Sequence, residues 1–313
     1  MAARRYLATL ILVALLATPV LLIARVAPLG CPVADAPGRF LAFCRNGAYQ
    51  DFEHGAYALG LRPAAVAAAQ RAPVLFLGNS RLELDFSTTA TASAFADAGF
   101  GYYLLGLGYG ETDGFSSTLL HDLALHPRAL VIDVDPFFDG KLSEPAQFLR
   151  DHPIRAALDY RAKAAAAALV AALCPADAAR WPCSDTDSLA LIRDDATGAW
   201  TISGPGLDTA TPFDARNGKA PDPAPFIAEA RRFLAGLDLP ARCVVLTTVP
   251  TPQRPLDAAT VQRIAEAIGA RWAEPQLEDL TSFDRSHLTR ESAERWSAAF
   301  LAEIMPILKD CAG

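Results

Sequence analysis

The chain opens on one long apolar run and then settles into short ones. Residues 6–24 carry no charge, and Arg4 and Arg5 precede them. As a helix with a rise of about 1.5 Å per residue, the run would span about 28 Å, close to a bilayer core of about 30 Å. The two arginines favour the cytoplasmic side, which would direct the rest of the chain outward. A cleaved signal peptide and a lipoprotein signal compete with an uncleaved anchor. Ala24-Arg25-Val26-Ala27 followed by Pro28 is a poor cleavage site, and Pro28 and Leu29 fit badly before Gly30-Cys31. The pattern therefore favours an N-terminal signal anchor over 1–27, single-pass in the cytoplasmic membrane, with the rest of the chain periplasmic.

Residues 28–72 form a lead-in with helical character over 63–70. From 73 to 313 a strand-then-helix rhythm sets in. Val74-Leu75-Phe76-Leu77 is a short apolar run ending at Gly78, the signature of a buried parallel strand. A helix is predicted over 87–98, with Ser87 or Thr88 as N-cap. Strands are predicted over 102–105, 129–134 and 242–249, and a weak one over 270–273. Helices are predicted over 113–125, 257–268 and 289–308. Such alternation implies an α/β domain whose parallel sheet is covered on both faces. Residues 140–220 interrupt the rhythm with an Ala-rich helix over 152–173, a hairpin around 194–198 and a Pro- and Gly-rich stretch. They read as an insertion, either a cap over the site or a peripheral decoration.

Composition adds the compartment. The chain has 52% hydrophobic and 20% charged residues and a net charge of −7. No Lys/Arg run follows the first residues, which disfavours nucleic acid as a partner. Six cysteines suit an oxidising compartment. The expected pairs are Cys31–Cys44, Cys174–Cys183 and Cys243–Cys311, the first two because they lie close in sequence. Free buried thiols are the alternative. There is no CxxC and no Cys/His spacing suited to zinc, so neither metal nor cofactor is expected.

Three predicted strand ends carry candidate chemistry, and strand ends are where open α/β sheets place their sites. Gly78-Asn79-Ser80-Arg81 follows the first strand. The glycine permits a tight exit, and a serine there can present its hydroxyl at the sheet edge. Leu82 breaks the G-x-S-x-G elbow of ordinary α/β-hydrolases. Taken alone, the serine reads first as a helix cap or a turn residue. Gly106-Leu107-Gly108-Tyr109-Gly110-Glu111-Thr112 follows the second strand and lacks both phosphate-loop and dinucleotide fingerprints. Near the C-terminus stands Asp284-Arg285-Ser286-His287-Leu288. There a carboxylate can hold the imidazole tautomer while the other ring nitrogen faces outward. The remaining histidines, His54, His121, His126 and His152, are read as lacking such a partner. Trp181, Trp200, Phe137 and Phe138 are aromatic candidates for stacking on sugars, with core packing as their ordinary role.

The ordered set resembles the SGNH (GDSL-like) hydrolase and acyltransferase superfamily. Gly78-Asn79-Ser80 stands for its Gly-Asp-Ser block, Gly110-Glu111-Thr112 for its oxyanion-glycine block and Asp284 to Leu288 for its Asp-x-x-His-Leu block. The resemblance spans about residues 73–309 and is closest to a membrane-anchored branch. That branch includes proteins of exopolysaccharide and alginate O-acetylation and of teichoic-acid D-alanylation. It implies a three-layer α/β/α, flavodoxin-like sheet. Ser80 would be the nucleophile, His287 the base and Asp284 its orienting partner. Gly110 and Asn79 would serve the oxyanion, with Arg81 and Asp135 as further candidates for substrate binding. One block departs from the family. Where an oxyanion asparagine is usual after the third strand, this chain has Asp135, and an ionised carboxylate cannot donate. The implied function is serine-dependent ester chemistry on a cell-surface polysaccharide or a small acyl ester, beside the inner membrane and in company with a membrane-bound acyltransferase. Simple esterase or lipase activity is one alternative. A non-catalytic glycan- or partner-binding subunit of an envelope complex is another. Within the triad, Ser80 Oγ and a His287 ring nitrogen are expected within about 4 Å.

Overall fold

The computed structural model describes residues 2–34, 36–45, 48–174, 183, 188–214 and 219–313. Trp181 lies outside the described residues. Helix α1 (Ala2–Val26) comes first, followed by strands β1 (Arg39–Cys44) and β2 (Gln50–Asp51) and helices α2 (Glu53–Ala58) and α3 (Pro63–Arg71). Next are β3 (Val74–Gly78), α4 (Ser80–Phe86), α5 (Thr89–Ala98), β4 (Tyr102–Gly106), α6 (Asp113–Asp122) and β5 (Ala129–Asp133). The middle holds α7 (Glu144–Asp151), α8 (Pro153–Leu173), β6 (Ala190–Asp194), β7 (Trp200–Ser203), β8 (Thr211–Pro212) and α9 (Ala224–Ala235). The last part is β9 (Val244–Thr247), α10 (Ala258–Ile268), β10 (Arg271–Trp272), β11 (Thr281–Ser282) and α11 (Arg290–Ala312).

Five strands form a wholly parallel sheet in the order β10-β9-β5-β3-β4. Counted along the chain within that sheet, the order is the doubly wound 2-1-3-4-5. Successive side chains on its strands point to opposite faces, and each face has its own core. Leu75, Leu77, Leu105, Leu130, Ile132 and Leu246 belong to one apolar cluster, with Val261 and Ile264 of α10 and Phe233 of α9. Val74, Phe76, Leu104, Val131 and Val245 belong to the other, with Phe86 of α4, Phe95 of α5 and Trp296, Phe300 and Ile304 of α11. Burial on both faces explains why these strands read as unbroken apolar runs. The helices start where caps allow, with Thr88, Asp257 and Thr289 accepting from Thr91, Thr260 and Ser292 N–H.

The lead-in and the insertion, far apart in sequence, meet in a second sheet of order β2-β1-β6-β7. β1 pairs antiparallel with β6, and the β6–β7 hairpin turn reaches β4, where Leu104 N donates to Thr197 O at 2.8 Å. Gly198 sits against that strand at φ +77, and a Cβ there would lie 2.0 Å from Leu104 O. A third contact comes from β8, which pairs with β11 just before the loop of His287.

α1 is long and apolar enough to cross a membrane, and none of its apolar window is buried. The three expected disulfides, Cys31–Cys44, Cys174–Cys183 and Cys243–Cys311, are all formed. Together these two features suit a protein held at a membrane and folded outside the reducing cytoplasm.

Candidate active site

The strand order reverses between β3 and β5, the point at which open α/β sheets form a crevice beyond their carboxyl ends. Ser80 stands there as the first residue of α4, half-buried, with Asn79 as N-cap. Gly78 and Gly106 make the turn possible. A Cβ on Gly106 would lie 2.8 Å from Glu83 Cγ and 2.9 Å from Asn79 O. Sequence pattern places the helix after this strand at 87–98, and the structure adds a short one that starts at Ser80.

The structure brings Ser80, His287 and Asp284 together. His287 Nε2 lies 2.9 Å from Ser80 Oγ, and His287 Nδ1 lies 2.8 Å from Asp284 Oδ2. The loop carrying both partners is closed at its base by a bridge between Ser282 and Leu288 and by Phe283 N donating to His287 O. Asp284 also shapes the loop, because its Oδ1 accepts from Ser286 N and His287 N at 2.9 and 2.8 Å. Arg285 takes the left-handed conformation at φ +70 within it. Phe283 stacks on the imidazole at 5.6 Å between centroids. Burial works to raise the Asp284 pKa. The hydrogen bond and charge of His287, with the two backbone N–H groups, outweigh it and hold the carboxyl below its ordinary value. An ionised Asp284 fixes a proton on Nδ1 and leaves Nε2 to accept from the serine.

Asn79 is tied into the turn. Its Oδ1 accepts from Arg81 N, and its Nδ2 donates to Asp135 O at 2.6 Å. Arg81 forms an ion pair with Asp135 and donates to Ser286 O and Ser286 Oγ at 3.1 Å each. The two residues considered for substrate binding thus hold each other and the histidine loop. Gly110 lies exposed in the turn after β4 at φ +64, beside Tyr109, which is also left-handed at φ +62. Under the crevice, Asp85 and Asp133 are buried. Burial, then the charge of Asp133, pushes Asp85 well above the ordinary carboxylate range. Burial lifts Asp133 to about 7. Trp200, Phe137 and Phe138 are buried, which places them in the core rather than on a sugar-facing surface.

A second histidine has a carboxylate partner at the same spacing, contrary to the expectation from sequence. Asp51 and His54 are also three apart, and His54 Nδ1 lies 2.8 Å from Asp51 Oδ1. His54 Nε2 lies 3.0 Å from Glu111 Oε2, next to Gly110. Burial opposes the charged ring, but Asp51 and Glu111 raise its pKa to about 10. His54 is fully buried, so it cannot meet a substrate. Its neighbourhood joins a larger ionic network. Arg193 pairs with Glu53 and Glu83 and donates to the carbonyls of Leu104 and Gly106. Glu53 in turn accepts from Gly108 N at 2.8 Å. The ligand atoms of Asp51, Glu53 and His54 all lie within 4.8 Å of one another, a spacing a metal could use. Both ring nitrogens of His54 already face carboxylates, and Glu53 already faces Arg193, Gly108 N and Trp200 Nε1. The donor set therefore fits an ion-pair network that holds the Gly110 turn. It does not fit a metal centre.

No family model, no curated protein and no solved structure matches this chain.

Proposed function

We propose that this protein is a membrane-held, extracytoplasmic enzyme of serine-dependent ester chemistry. It would transfer O-acyl groups to or from a cell-surface polysaccharide, as a member of the SGNH group that its motifs resemble. The supporting observation is the contact of Ser80 Oγ with His287 Nε2, with Asp284 on the opposite ring nitrogen.

Ser80 Oγ attacks the acyl carbonyl carbon while its proton passes to His287 Nε2. Asp284 stabilises the imidazolium. The negative oxygen of the tetrahedral intermediate is met by backbone N–H groups, with Ser80 and Gly110 as the donors proposed. Collapse breaks the ester C–O bond, and His287 returns the proton to the leaving alkoxide. A sugar hydroxyl or water then attacks the acyl-serine by the same route in reverse. The apolar helix α1 would keep the site beside the membrane where such polymers are assembled and where a membrane-bound acyltransferase would supply acyl groups.

A binding subunit with a disused site is the second reading. The observation in its favour is Asp135, whose carboxylate is ion-paired with Arg81 and gives no side-chain donor at that strand end. The two readings part on one experiment. Under catalysis, a serine-directed fluorophosphonate labels the detergent-solubilised full chain, labels His287→Ala far less and Ser80→Ala not at all. Hydrolysis of p-nitrophenyl acetate follows the same order. A folded wild type that neither labels nor hydrolyses leaves the binding reading standing.

A further inference from the structure

Helix α8 carries a face that the other described residues leave largely uncovered. Ile154, Leu158, Leu169 and Leu173 are 79%, 58%, 50% and 71% exposed. At about 100° per residue they fall within roughly a 100° arc, a stripe along one side of the helix. Contiguous exposed apolar patches of this kind mark surfaces that meet something apolar.

The stripe is interrupted at one place, and α1 is what interrupts it. Val26, at the end of α1, packs with Ala162 and Ala166 of α8, joined by Ile23 and Ala27. On the same helical wheel Ala162 and Ala166 lie about 80° and 120° from Ile154, at the edge of the exposed arc. Thus the apolar end of α1 rests midway along the stripe, with Ile154 and Leu158 on one side of the contact and Leu169 and Leu173 on the other. Arg155 and Arg161, both exposed, lie near its two edges.

We propose that α8 lies in the outer face of the bilayer that α1 crosses, with this stripe sunk among the lipids. The inference rests on α1 being a membrane span; it does not need the catalytic reading. The side of α8 that meets the end of a membrane span is the side turned to the membrane. Leucine and isoleucine there enter the boundary of headgroups and acyl chains, and the flanking arginines meet lipid phosphates. Nor is α8 a loose appendage. Tyr160 donates to Asp51 Oδ2 at 2.6 Å, and Lys163 donates to Asp51 O at 2.9 Å. The Tyr160 ring lies so close to Gly55 that a Cβ there would meet it at 2.1 Å. Asp51 leads through His54 and Glu111 to the turn of Gly110. Docking of α8 therefore fixes how the crevice of Ser80 is presented to the membrane surface.

The test uses the full chain in vesicles of phosphatidylcholine and phosphatidylglycerol. The six native cysteines are all in disulfides, so one added cysteine is the single labelling site. An environment-sensitive fluorophore is attached at Leu158→Cys, Leu169→Cys, Leu12→Cys within α1, or Gln262→Cys on the exposed side of α10. Nitroxide lipids probe contact with the bilayer, and iodide probes contact with water. The proposal expects labels at 158 and 169 to be quenched several-fold more than at 262 by shallow nitroxides, and to be shielded from iodide. Labels at 158 and 169 that behave like 262, while 12 is quenched by deep nitroxides, overturn it with the span intact. Failure of quenching at 12 removes its premise. Shielding from iodide without nitroxide quenching, lost as protein is diluted in lipid, assigns the stripe to a second protein copy and also overturns it.

Discussion

The guanidinium of Arg81 is ion-paired with the buried carboxylate of Asp135, which clamps the turn after β3 to the turn after β5. Arg81→Ala would leave that carboxylate buried without its partner, a loss on the order of 3 kcal/mol. It would also release Ser286 and loosen the loop of His287. Under the proposed catalysis, ester turnover should fall with little change in KM. Asp135→Asn removes the charge that needs a partner, so the double variant should recover part of the lost stability. Urea denaturation of the two single variants and the double variant measures this. A double variant no more stable than Arg81→Ala would show that the Asp135 charge is not the cause.

Asp284→Asn keeps an oxygen for the N–H groups of Ser286 and His287 but turns an amide toward His287 Nδ1. The imidazole would then hold its proton on the wrong nitrogen. In a comparable triad that exchange lowers turnover by about 10⁴. The expected result here is a loss of at least about 10³ in kcat with the melting temperature nearly unchanged. Retained turnover would mean that Asp284 only builds the loop.

Gly110 is constrained by its backbone and not by space, since no described residue beyond its chain neighbours lies within 4 Å of the position of a Cβ. Asparagine enters the left-handed region readily, and a β-branched residue does not. If the turn aims an N–H at the oxyanion, Gly110→Asn should stay close to wild-type turnover. Gly110→Val should lose about 10²-fold. Steady-state kinetics on p-nitrophenyl acetate, with circular dichroism to check folding, separates the two. Equal activity in both variants would place the donor elsewhere.

His54 should make stability depend on alkaline pH. Its folded pKa of about 10 lies above the ordinary 6.5, so the folded state holds the proton more tightly than the unfolded chain. The resulting stabilisation is complete below about pH 6.5 and is lost as pH rises through about 10. His54→Gln should be less stable than wild type at pH 6, and the gap should narrow by pH 10. Denaturation midpoints at both values test this, and a constant gap would contradict it.

The Cys243–Cys311 bridge ties the start of β9 to the end of α11 across 68 residues. Loop-closure entropy puts its contribution at up to about 4 kcal/mol. Replacing both cysteines with alanine should lower the melting temperature by several degrees. Replacing the Cys31 and Cys44 pair, which closes a loop of only 13, should do less. The reverse order would point to strain or to residual structure in the unfolded chain.

The parts of the fold that were legible in sequence are those governed by local pattern. β3, β4, β5 and β9 lie buried on both faces and so appear as apolar runs. Thr88, Asp257 and Thr289 announce helices because their caps act within three residues. The Asp284 and His287 spacing could be read for the same reason. What escaped depends on distant partners. β1 finds β6 some 150 residues on, and neither segment signals the other. Arg193, Glu53 and Glu83 look like surface charges until the fold buries them together. Asp51 and His54 repeat the spacing of the candidate active-site pair. Only burial separates the two pairs, and burial is a property of the whole fold. The short α4 starts at Ser80 because Asn79 caps it, a signal present in sequence but obscured by seven residues too few to show a period.

The pairing of β1 with β6 also sets an order of events. A chain exported as proposed would present Arg39–Cys44 long before Ala190–Asp194. During that interval β1 would have an open edge and a half-made surface, close to the bilayer if the helix before it is the anchor. The second sheet would close only when more than half of the polypeptide had crossed. A periplasmic chaperone that shields extended segments would find its substrate in that window. A shortened version of the protein starting at residue 73 would strip β6 of β1, leaving it paired with β7 alone and open along one edge, and should emerge as an aggregating species.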